Sequence, residues 1–550
     1  MAQVIGQRVE QMLARMSLEQ KIGQVMLIGL DPAETFGSPT EMTPHMAGLL
    51  AGLHVGGLVL FERNVGAPGE LAQLTAAAQA AVTDGGDPPL IISIDQEGGR
   101  VTRLRQARGY TEWPSPMALG ATGDPENARL VAEALGRELL AEGINMDLAP
   151  VLDVNSNPRN PVIGTRSFGS DPRRVAAFGV AFIGGLQDVG VMAVGKHFPG
   201  HGDTGIDSHV SLPVVAHDRG RLEAVEFLPF RAAIEAGVAG IMSAHVTFPA
   251  VDPTPGLPAT LSQKVMTGLL RDEMGYEGLL LTDSLEMGAL AQSGYPVPAA
   301  AVASLAAGAD LLCISHGFTV HRQVHAALVQ AVGQGEIPMA RLDAAVRRVL
   351  QAKDQYGLLA GSGPVTWARG QGPAGVGGDE AASLSRRVAE QAITVLRDRE
   401  RLLPLGSRAG NRPLLVVELA SRGDFVSGAL RPVVANHLVR ALQAEGLVLP
   451  EDIDDENMGE VLRQARGKTV ILAVANVVRH PTEVDLVEAL VGAHVPLVVI
   501  TTAGLYDFAA MDRAGACIAT YGSNPPVLDA LAGVLLGNIE AGGHLPVELS

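Results

Sequence analysis

The stretch AVGKHFPG at residues 193–200 is a short apolar run that ends in ionisable side chains and is closed by proline and glycine. Seven comparable runs lie between residues 25 and 315, and segments with helical periodicity separate most of them. They are VMLIGL at 25–30, GGLVLF at 56–61, LIISIDQE at 90–97, MDLAPVLDV at 146–154, GIMSAHV at 240–246, GLLLTDS at 278–284 and DLLCIS at 310–315. Strand and helix that alternate eight times predict a TIM-type (β/α)8 barrel.

Ionisable residues recur where these apolar runs end. They are Asp95, Glu97, Asp153, Lys196, His197, His245, Asp283 and His316. In a (β/α)8 barrel the carboxyl ends of the strands converge on one mouth, where active sites are built. The sequence therefore predicts a site at that mouth.

The domain organisation follows from length and from one glycine- and proline-rich segment. A chain of 550 residues exceeds what one hydrophobic core usually supports. Residues 361–380 are dense in Gly and Pro without apolar periodicity, which indicates a linker. We therefore predict a catalytic barrel over 1–360 and a smaller, open α/β sandwich domain over 381–550. Its apolar runs are ITVLRD, PLLVVELA, KTVILAVANVV, VPLVVITTAG and GACIATYGS.

Composition and charge restrict the binding partners and the cell compartment that we expect for this chain. The net charge of -18 and the absence of a basic cluster interleaved with aromatics disfavour nucleic acid. Charged residues interrupt the first 30 positions, and no apolar run has the length of a membrane helix, so we predict a cytoplasmic protein with no membrane partner. Cys313 and Cys517 lie in apolar runs and are predicted to be buried rather than reactive.

The loop KHFPGHGDTGIDSH at 196–209 concentrates ionisable side chains after the fifth apolar run. Its single proline and three glycines prevent a helix and allow a tight loop that could carry His209 over the barrel mouth. Asp207 lies two residues before His209, close enough to orient the imidazole and stabilise its charged form. The spacing fits general acid/base catalysis, but it also fits histidines that only brace the loop.

A metal site is an alternative use of the same loop. His197, His201 and His209 with Asp203 or Asp207 could supply zinc-type ligands. The Phe-Pro-Gly segment between His197 and His201 cannot hold both rings on one helical face, so the usual geometry is missing. We predict no metal and no cofactor.

Asp283 ends the seventh apolar run and could act as a nucleophile at the barrel mouth. Its alternative role is to cap the helix predicted for SLEMGAL at 284–290. Asp95 ends the third run, where two glycines allow close approach of a ligand. Four further residues could donate hydrogen bonds to ligand hydroxyls or instead form salt bridges: Arg103, Arg166, Lys196 and His197.

Four segments together resemble the bacterial β-N-acetylglucosaminidases of glycoside hydrolase family 3. They are KHFPGHGDTGIDSH, LLLTDSLEM, IDQEGGRVTR and NPVIGTRSFG. The resemblance extends from MSLEQKIGQ at 16–24 to about residue 355. The remaining chain is similar to the α/β sandwich domain of the two-domain members.

This resemblance implies a retaining, exo-acting hydrolase that releases terminal β-linked N-acetylglucosamine. Asp283 would be the nucleophile of a glycosyl-aspartate intermediate, and His209 the acid/base with Asp207 as its dyad partner. The sugar hydroxyls in the first subsite would be held by Asp95, Arg103, Arg166, Lys196 and His197. The implied substrates are small N-acetylglucosaminides such as muropeptides, cut during cytoplasmic peptidoglycan recycling.

Several alternatives stay open at this point. A neutral histidine repels phosphate less than a carboxylate does, so phosphorolysis is a close alternative to hydrolysis. Chitooligosaccharides are an alternative substrate class. A sugar-binding protein with an inactive site and a metal-dependent hydrolase are alternatives from other classes.

Overall fold

Eight parallel strands form the first domain of the computed structural model. The structure describes residues 2–30, 38–208, 211–360, 376–405, 412–419, 433–450, 453–474, 481–503 and 512–548. The strands are β1 Met26–Gly29, β2 Gly57–Leu60, β3 Ile91–Ile94, β4 Met146–Asp147, β5 Met192–Phe198, β6 Gly240–Ser243, β7 Leu279–Thr282 and β8 Leu312–Ile314. Their order is β7-β6-β5-β4-β3-β2-β1-β8, and a parallel bridge between Leu281 and Leu311 brings the two ends together. The predicted barrel is confirmed, with one strand in each predicted run.

Helices surround this barrel. They are α1 Ala2–Arg15, α2 Leu18–Gln24, α3 Pro44–Gly52, α4 Glu70–Thr83, α5 Pro116–Thr122, α6 Pro125–Ala141, α7 Pro172–Asp188, α8 Arg219–Ala224, α9 Leu228–Glu235, α10 Gly288–Gln292, α11 Val297–Ala307, α12 Phe318–Gly333 and α13 Met339–Gln355, with a π-helix at Lys264–Glu273. Local sequence sets their starts: Asp124 and Asp171 each accept a backbone N–H of the helix they cap, and proline follows at the first position.

Alternate strand residues fill two separate cores. Leu27, Val59 and Ile91 belong to the cluster inside the barrel. Their neighbours Ile28 and Ile92 pack outward in the larger cluster that includes the helices. This period of two explains why the strands are apolar throughout, since both faces are covered.

The second domain contains a six-stranded sheet of order β11-β10-β12-β13-β14-β9. Its strands are β9 Thr394–Asp398, β10 Leu414–Leu419, β11 Glu445–Leu449, β12 Thr469–Val474, β13 Leu497–Thr501 and β14 Ala516–Ala519, with β9 antiparallel to β14. Its helices are α14 Asp379–Ala392, α15 Val434–Leu442, α16 Asp455–Gln464, α17 Pro481–Gly492 and α18 Pro525–Leu536. Apolar clusters cover both faces of the sheet, as predicted for an α/β domain.

Strand β11 is not among the predicted runs. Only Leu449 of its five residues is buried, because the strand lies at the edge of the sheet.

Both cysteines are buried, as predicted. Residues 361–375 of the predicted linker lie outside the described residues, so the domain bounds stay a prediction. Among the helices that the structure describes, none is long and apolar enough to cross a membrane.

Candidate active site

A cavity of about 650 Å³ opens at the carboxyl ends of the barrel strands. Six of the eight predicted site residues line it: Asp95, Arg103, Arg166, Lys196, His197 and Asp283. Asp207 is described but is not among the lining residues, although the adjacent Ser208 is. His209 lies outside the described residues. Six of the eight predicted positions therefore converge on one mouth of the barrel.

A buried ion-pair network adjoins this cavity and centres on Glu97. The Arg166 guanidinium donates from Nε and Nη2 to the two Glu97 carboxylate oxygens at 2.8 and 2.7 Å. Lys196 Nζ lies 2.6 Å from Glu97 Oε1 and 2.7 Å from Asp95 Oδ1. Arg103 Nη2 lies 3.6 Å from Asp95 Oδ2. The network therefore alternates two carboxylates with three cations.

The charges in this network stabilise one another. Burial alone would raise the pKa of Glu97, but the Arg166 and Lys196 charges outweigh it and hold that pKa well below its ordinary value. Burial alone would lower the pKa of Lys196, but Asp95 and Glu97 outweigh it and hold that pKa above its ordinary value. Both groups are therefore charged at neutral pH, and Lys196 keeps Asp95 in a fixed orientation.

Most of the hydrogen-bond donors of Arg166 are already used by other groups of the protein. Besides its bidentate contact with Glu97, its Nη1 lies 3.4 Å from the carbonyl oxygen of Val162, and its side chain is almost fully buried. Arg166 therefore forms a salt bridge, which was the alternative to its predicted role as a donor to a ligand hydroxyl. Its predicted contact with a sugar hydroxyl stays a prediction.

His197 is oriented by a buried carboxylate. Its Nδ1 lies 2.7 Å from Asp153 Oδ2, and its backbone N–H also donates to Asp153. Its Nε2 lies 3.4 Å from Arg166 Nη2. Burial would raise the pKa of Asp153, but His197 outweighs it and lowers that pKa. An ionised Asp153 accepts from Nδ1–H and so directs Nε2 of the ring towards Arg166.

His201 has the bracing role that was the alternative for the loop histidines. Its Nδ1 lies 2.8 Å from Thr204 Oγ1 and its Nε2 2.9 Å from Ser208 Oγ. Burial, with repulsion from the His197 charge, lowers the pKa of His201 to about 4. His201 is therefore neutral at pH 7 and ties Ser208 to the base of the loop.

Asp283 follows β7 directly and lines the cavity. Its Oδ1 accepts the backbone N–H of Ser284 at 2.7 Å. The capping alternative is wrong, because the next helix, α10, begins only at Gly288 and its N-cap residue is Met287. The carboxylate is thus held at the strand end without a helix to cap.

Sequence reasoning missed the supporting roles of Glu97 and Asp153. Their positions at the ends of apolar runs are the signal that the sequence offers for them. Their partners Arg166 and His197 are 69 and 44 residues away along the chain, so only the fold brings them together. Within the part of the chain that the structure describes, no three His, Cys, Asp or Glu side chains are grouped as metal ligands.

The Glu97 network leads to a stability prediction. We expect Glu97→Gln to lower the free energy of unfolding by about 3–5 kcal/mol, the range for removing one partner of a buried ion pair. The reason is that Arg166 and Lys196 stay buried while the charge between them is lost. Urea denaturation of the full chain at pH 7 measures this difference.

A matched control is Glu223→Gln, which breaks partly exposed pairs with Arg219 and Arg231 and should have a much smaller effect. Because the folded-state pKa of Glu97 is depressed, its stabilisation is fully present above the unfolded value of about 4.3 and is lost at lower pH. The difference in the free energy of unfolding between wild type and Glu97→Gln should therefore become smaller below that pH. Equal losses in the two variants would contradict the prediction.

Comparison with known proteins gives the family. The model described as the glycosyl hydrolase family 3 N-terminal domain matches residues 17–352. The chain belongs to glycoside hydrolase family 3. This family 3 chain is accordingly a glycoside hydrolase enzyme.

Three relatives of this family 3 enzyme differ in how much of it they match. A Cellulomonas fimi protein named beta-N-acetylglucosaminidase/beta-glucosidase is 32% identical over 98% of this chain and 94% of its own length. Beta-hexosaminidase A of Pseudoalteromonas piscicida is 37% identical over 57% of this chain, which spans 56% of that relative. The solved family 3 beta-N-acetylglucosaminidase from a Paenibacillus species is 37% identical, with a TM-score of 0.85 over 97% of this chain and 99% of that one. Both domains of this enzyme thus have a counterpart in one solved structure.

Proposed function

We propose that this family 3 enzyme is a retaining, exo-acting β-N-acetylglucosaminidase that works through a glycosyl-aspartate intermediate. The observation that carries the proposal is the cavity, where Asp283 converges with the ordered carboxylate and cations of Asp95, Lys196 and Arg166. The names of the Cellulomonas and Paenibacillus relatives support N-acetylglucosamine as the sugar.

The proposed first subsite uses the ion-pair network to hold hydroxyl groups. Asp95 is partly exposed and can accept hydroxyl hydrogen bonds while Lys196 fixes its orientation. Arg103 lines the cavity beside Asp95, with Nη2 3.6 Å from Asp95 Oδ2, and can donate to a hydroxyl held there. His197, oriented by Asp153, completes the proposed set with Arg166 and Lys196.

The proposed reaction has two steps. His209, oriented by Asp207, gives a proton to the leaving oxygen while the Asp283 carboxylate attacks the anomeric carbon and forms an α-linked glycosyl ester. Water then attacks the same carbon, His209 takes its proton, and Asp283 leaves as carboxylate. Two inversions give a product with the original β configuration. Neither step needs a metal or a cofactor.

A direct assay tests the proposal and its closest alternative. We expect the enzyme to release free β-N-acetylglucosamine from an aryl N-acetyl-β-glucosaminide at similar rates with and without phosphate. The reason is that the four carboxylates lining the cavity balance its four arginine and lysine side chains, so no surplus of positive charge recruits phosphate in place of water. The products are identified by NMR, which also reports the anomeric configuration.

Three other results would each contradict a part of the proposal. Phosphate-dependent formation of the sugar 1-phosphate would establish phosphorolysis. Equal turnover of the aryl glucoside would show that the 2-acetamido group is not selected. An enzyme inert towards every aryl glycoside would favour the sugar-binding alternative.

We further propose peptidoglycan fragments, met in the cytoplasm, as the natural source of the sugar. The resemblance to bacterial β-N-acetylglucosaminidases supports this choice over chitooligosaccharides. The test compares kcat/KM for a fragment ending in N-acetylglucosamine linked to N-acetylmuramic acid with kcat/KM for chitobiose. A clear preference for chitobiose would contradict it.

A further inference from the structure

The turn that carries Glu97 is tied to the second domain. After β3, the Glu97 backbone N–H donates to Val101 and the Gly99 backbone N–H donates to the carbonyl of Trp113 at 2.9 Å. The same Trp113 carbonyl accepts Nδ2 of Asn524, a second-domain residue, at 2.8 Å. One carbonyl group therefore joins the Glu97 turn to the loop between β14 and α18.

That second-domain loop, residues 520–524, is itself tightly held. Ser115 Oγ, two residues beyond Trp113, donates to the carbonyl of Tyr521 at 2.6 Å. Tyr521 is fully buried, has a positive φ of 60° and donates from its hydroxyl to Thr394 Oγ1. A bulky residue keeps such a backbone conformation only where its surroundings fix it. The loop thus presents a rigid surface to the barrel.

A second, independent contact reaches the loop that carries Arg166. Just after that loop, the Ser170 backbone N–H donates to the carbonyl of Pro546 at 3.1 Å, and Ser170 Oγ accepts the backbone N–H of Glu548 at 2.9 Å. Gly169 has φ +151°, and a side chain there would overlap the Pro546 carbonyl oxygen. Residues 546–548 of the second domain therefore lie directly against this barrel loop.

The two contacts converge on the two partners of one buried ion pair. The Trp113 carbonyl links the Glu97 turn to Asn524, and the Arg166 loop contacts residues 546–548. The Glu97 and Arg166 side chains themselves meet bidentately at 2.7 and 2.8 Å. A bidentate pair depends on the relative placement of both groups to within fractions of an ångström. We infer that the second domain positions the Glu97–Arg166 pair, and that Asn524 is a positioning residue for the sugar site. The inference rests on the proposed function, because that pair borders the proposed first subsite.

Asn524→Asp tests this role with the smallest change. Aspartate keeps the shape and the N-cap position of α18 but cannot donate from Nδ2 to the Trp113 carbonyl. We expect KM for the aryl N-acetyl-β-glucosaminide to rise about tenfold with a smaller change in kcat, since a misplaced binding group costs ground-state and transition-state binding alike. Gly169→Ala should likewise raise KM more than it changes kcat, because the added methyl group would displace the Pro546 carbonyl. The matched control is Asn457→Asp, in the exposed capping box of α16, which should leave KM unchanged.

A double variant separates positioning from general destabilisation. Arg166→Lys removes the bidentate contact, so adding Asn524→Asp to it should raise KM little further. Additive effects would overturn the inference, as would wild-type KM in both Asn524→Asp and Gly169→Ala while Arg166→Lys raises KM. Thermal melts report whether each variant is folded. Unchanged KM in Arg166→Lys would instead contradict the proposed sugar site, and the inference with it.

Discussion

Replacement of Asp283 by alanine is expected to lower kcat/KM for an aryl N-acetyl-β-glucosaminide by about 10³-fold or more. Without the carboxylate no glycosyl-aspartate forms, and the covalent route through two easier steps is lost. The effect should appear in kcat, because the network that holds the sugar is untouched. Steady-state kinetics with the wild type as reference measures it.

Two further carboxylates near the cavity, Glu97 and Glu286, are poor substitutes for Asp283. Glu97 is buried between Arg166 and Lys196. Glu286 accepts the backbone N–H groups of Ser315 and His316 at 3.0 and 2.9 Å. These contacts stabilise the charge and lower the nucleophilicity of each carboxylate, so neither is expected to replace Asp283 in the variant.

Azide distinguishes a lost nucleophile from a damaged site. In Asp283→Ala the anion can occupy the space of the missing carboxylate and attack the anomeric carbon from the same face, giving the α-glycosyl azide. Asp218→Asn, which alters the N-cap of α8, is a control that should keep wild-type kinetics. Full activity of Asp283→Ala would refute the mechanism.

The barrel was predictable because its signal is local. Each strand is a short apolar run that ends in a polar residue, and parallel strands covered on both faces need no alternation. Strand β11 was missed for the opposite reason: as an edge strand it exposes most of its side chains and lacks an apolar run. The residues that converge at the mouth were predictable because strand ends meet there.

Roles that depend on distant partners were not predictable in the same way. The capping alternative for Asp283 failed because residues 284–286 form a turn before α10. Ser284 Oγ donates to Glu286, and Glu286 also accepts backbone N–H groups of the loop after β8. Spacing likewise could not decide between catalysis and bracing for His201. Its bonds to Thr204 and Ser208 decide for bracing.

The remaining histidine of that loop gives the second large effect. We expect His209→Ala to lower kcat/KM by about 10²–10⁴-fold for substrates with a sugar leaving group, the usual contribution of a general acid. His201 is neutral at pH 7, since its pKa is lowered to about 4. His197 Nε2 lies 3.4 Å from the donor Nη2 of Arg166, which places this nitrogen to accept rather than to donate. Neither is therefore expected to replace the proton donor that we propose at His209, next to the cavity-lining Ser208.

The leaving group distinguishes this role from a structural one. An aryl group with a strongly acidic phenol departs without protonation, so His209→Ala should form the glycosyl-enzyme from it at a rate close to that of the wild type. A sugar leaving group needs the proton and should show the full loss, and Asp207→Asn should follow the same pattern more weakly. His217→Ala, in which the lost histidine pairs with Asp203 at 2.6 Å, is the matched control and should show no such dependence. An equal loss for every leaving group would mean that His209 shapes the loop rather than carries the proton, and the acid/base role would have to be assigned elsewhere.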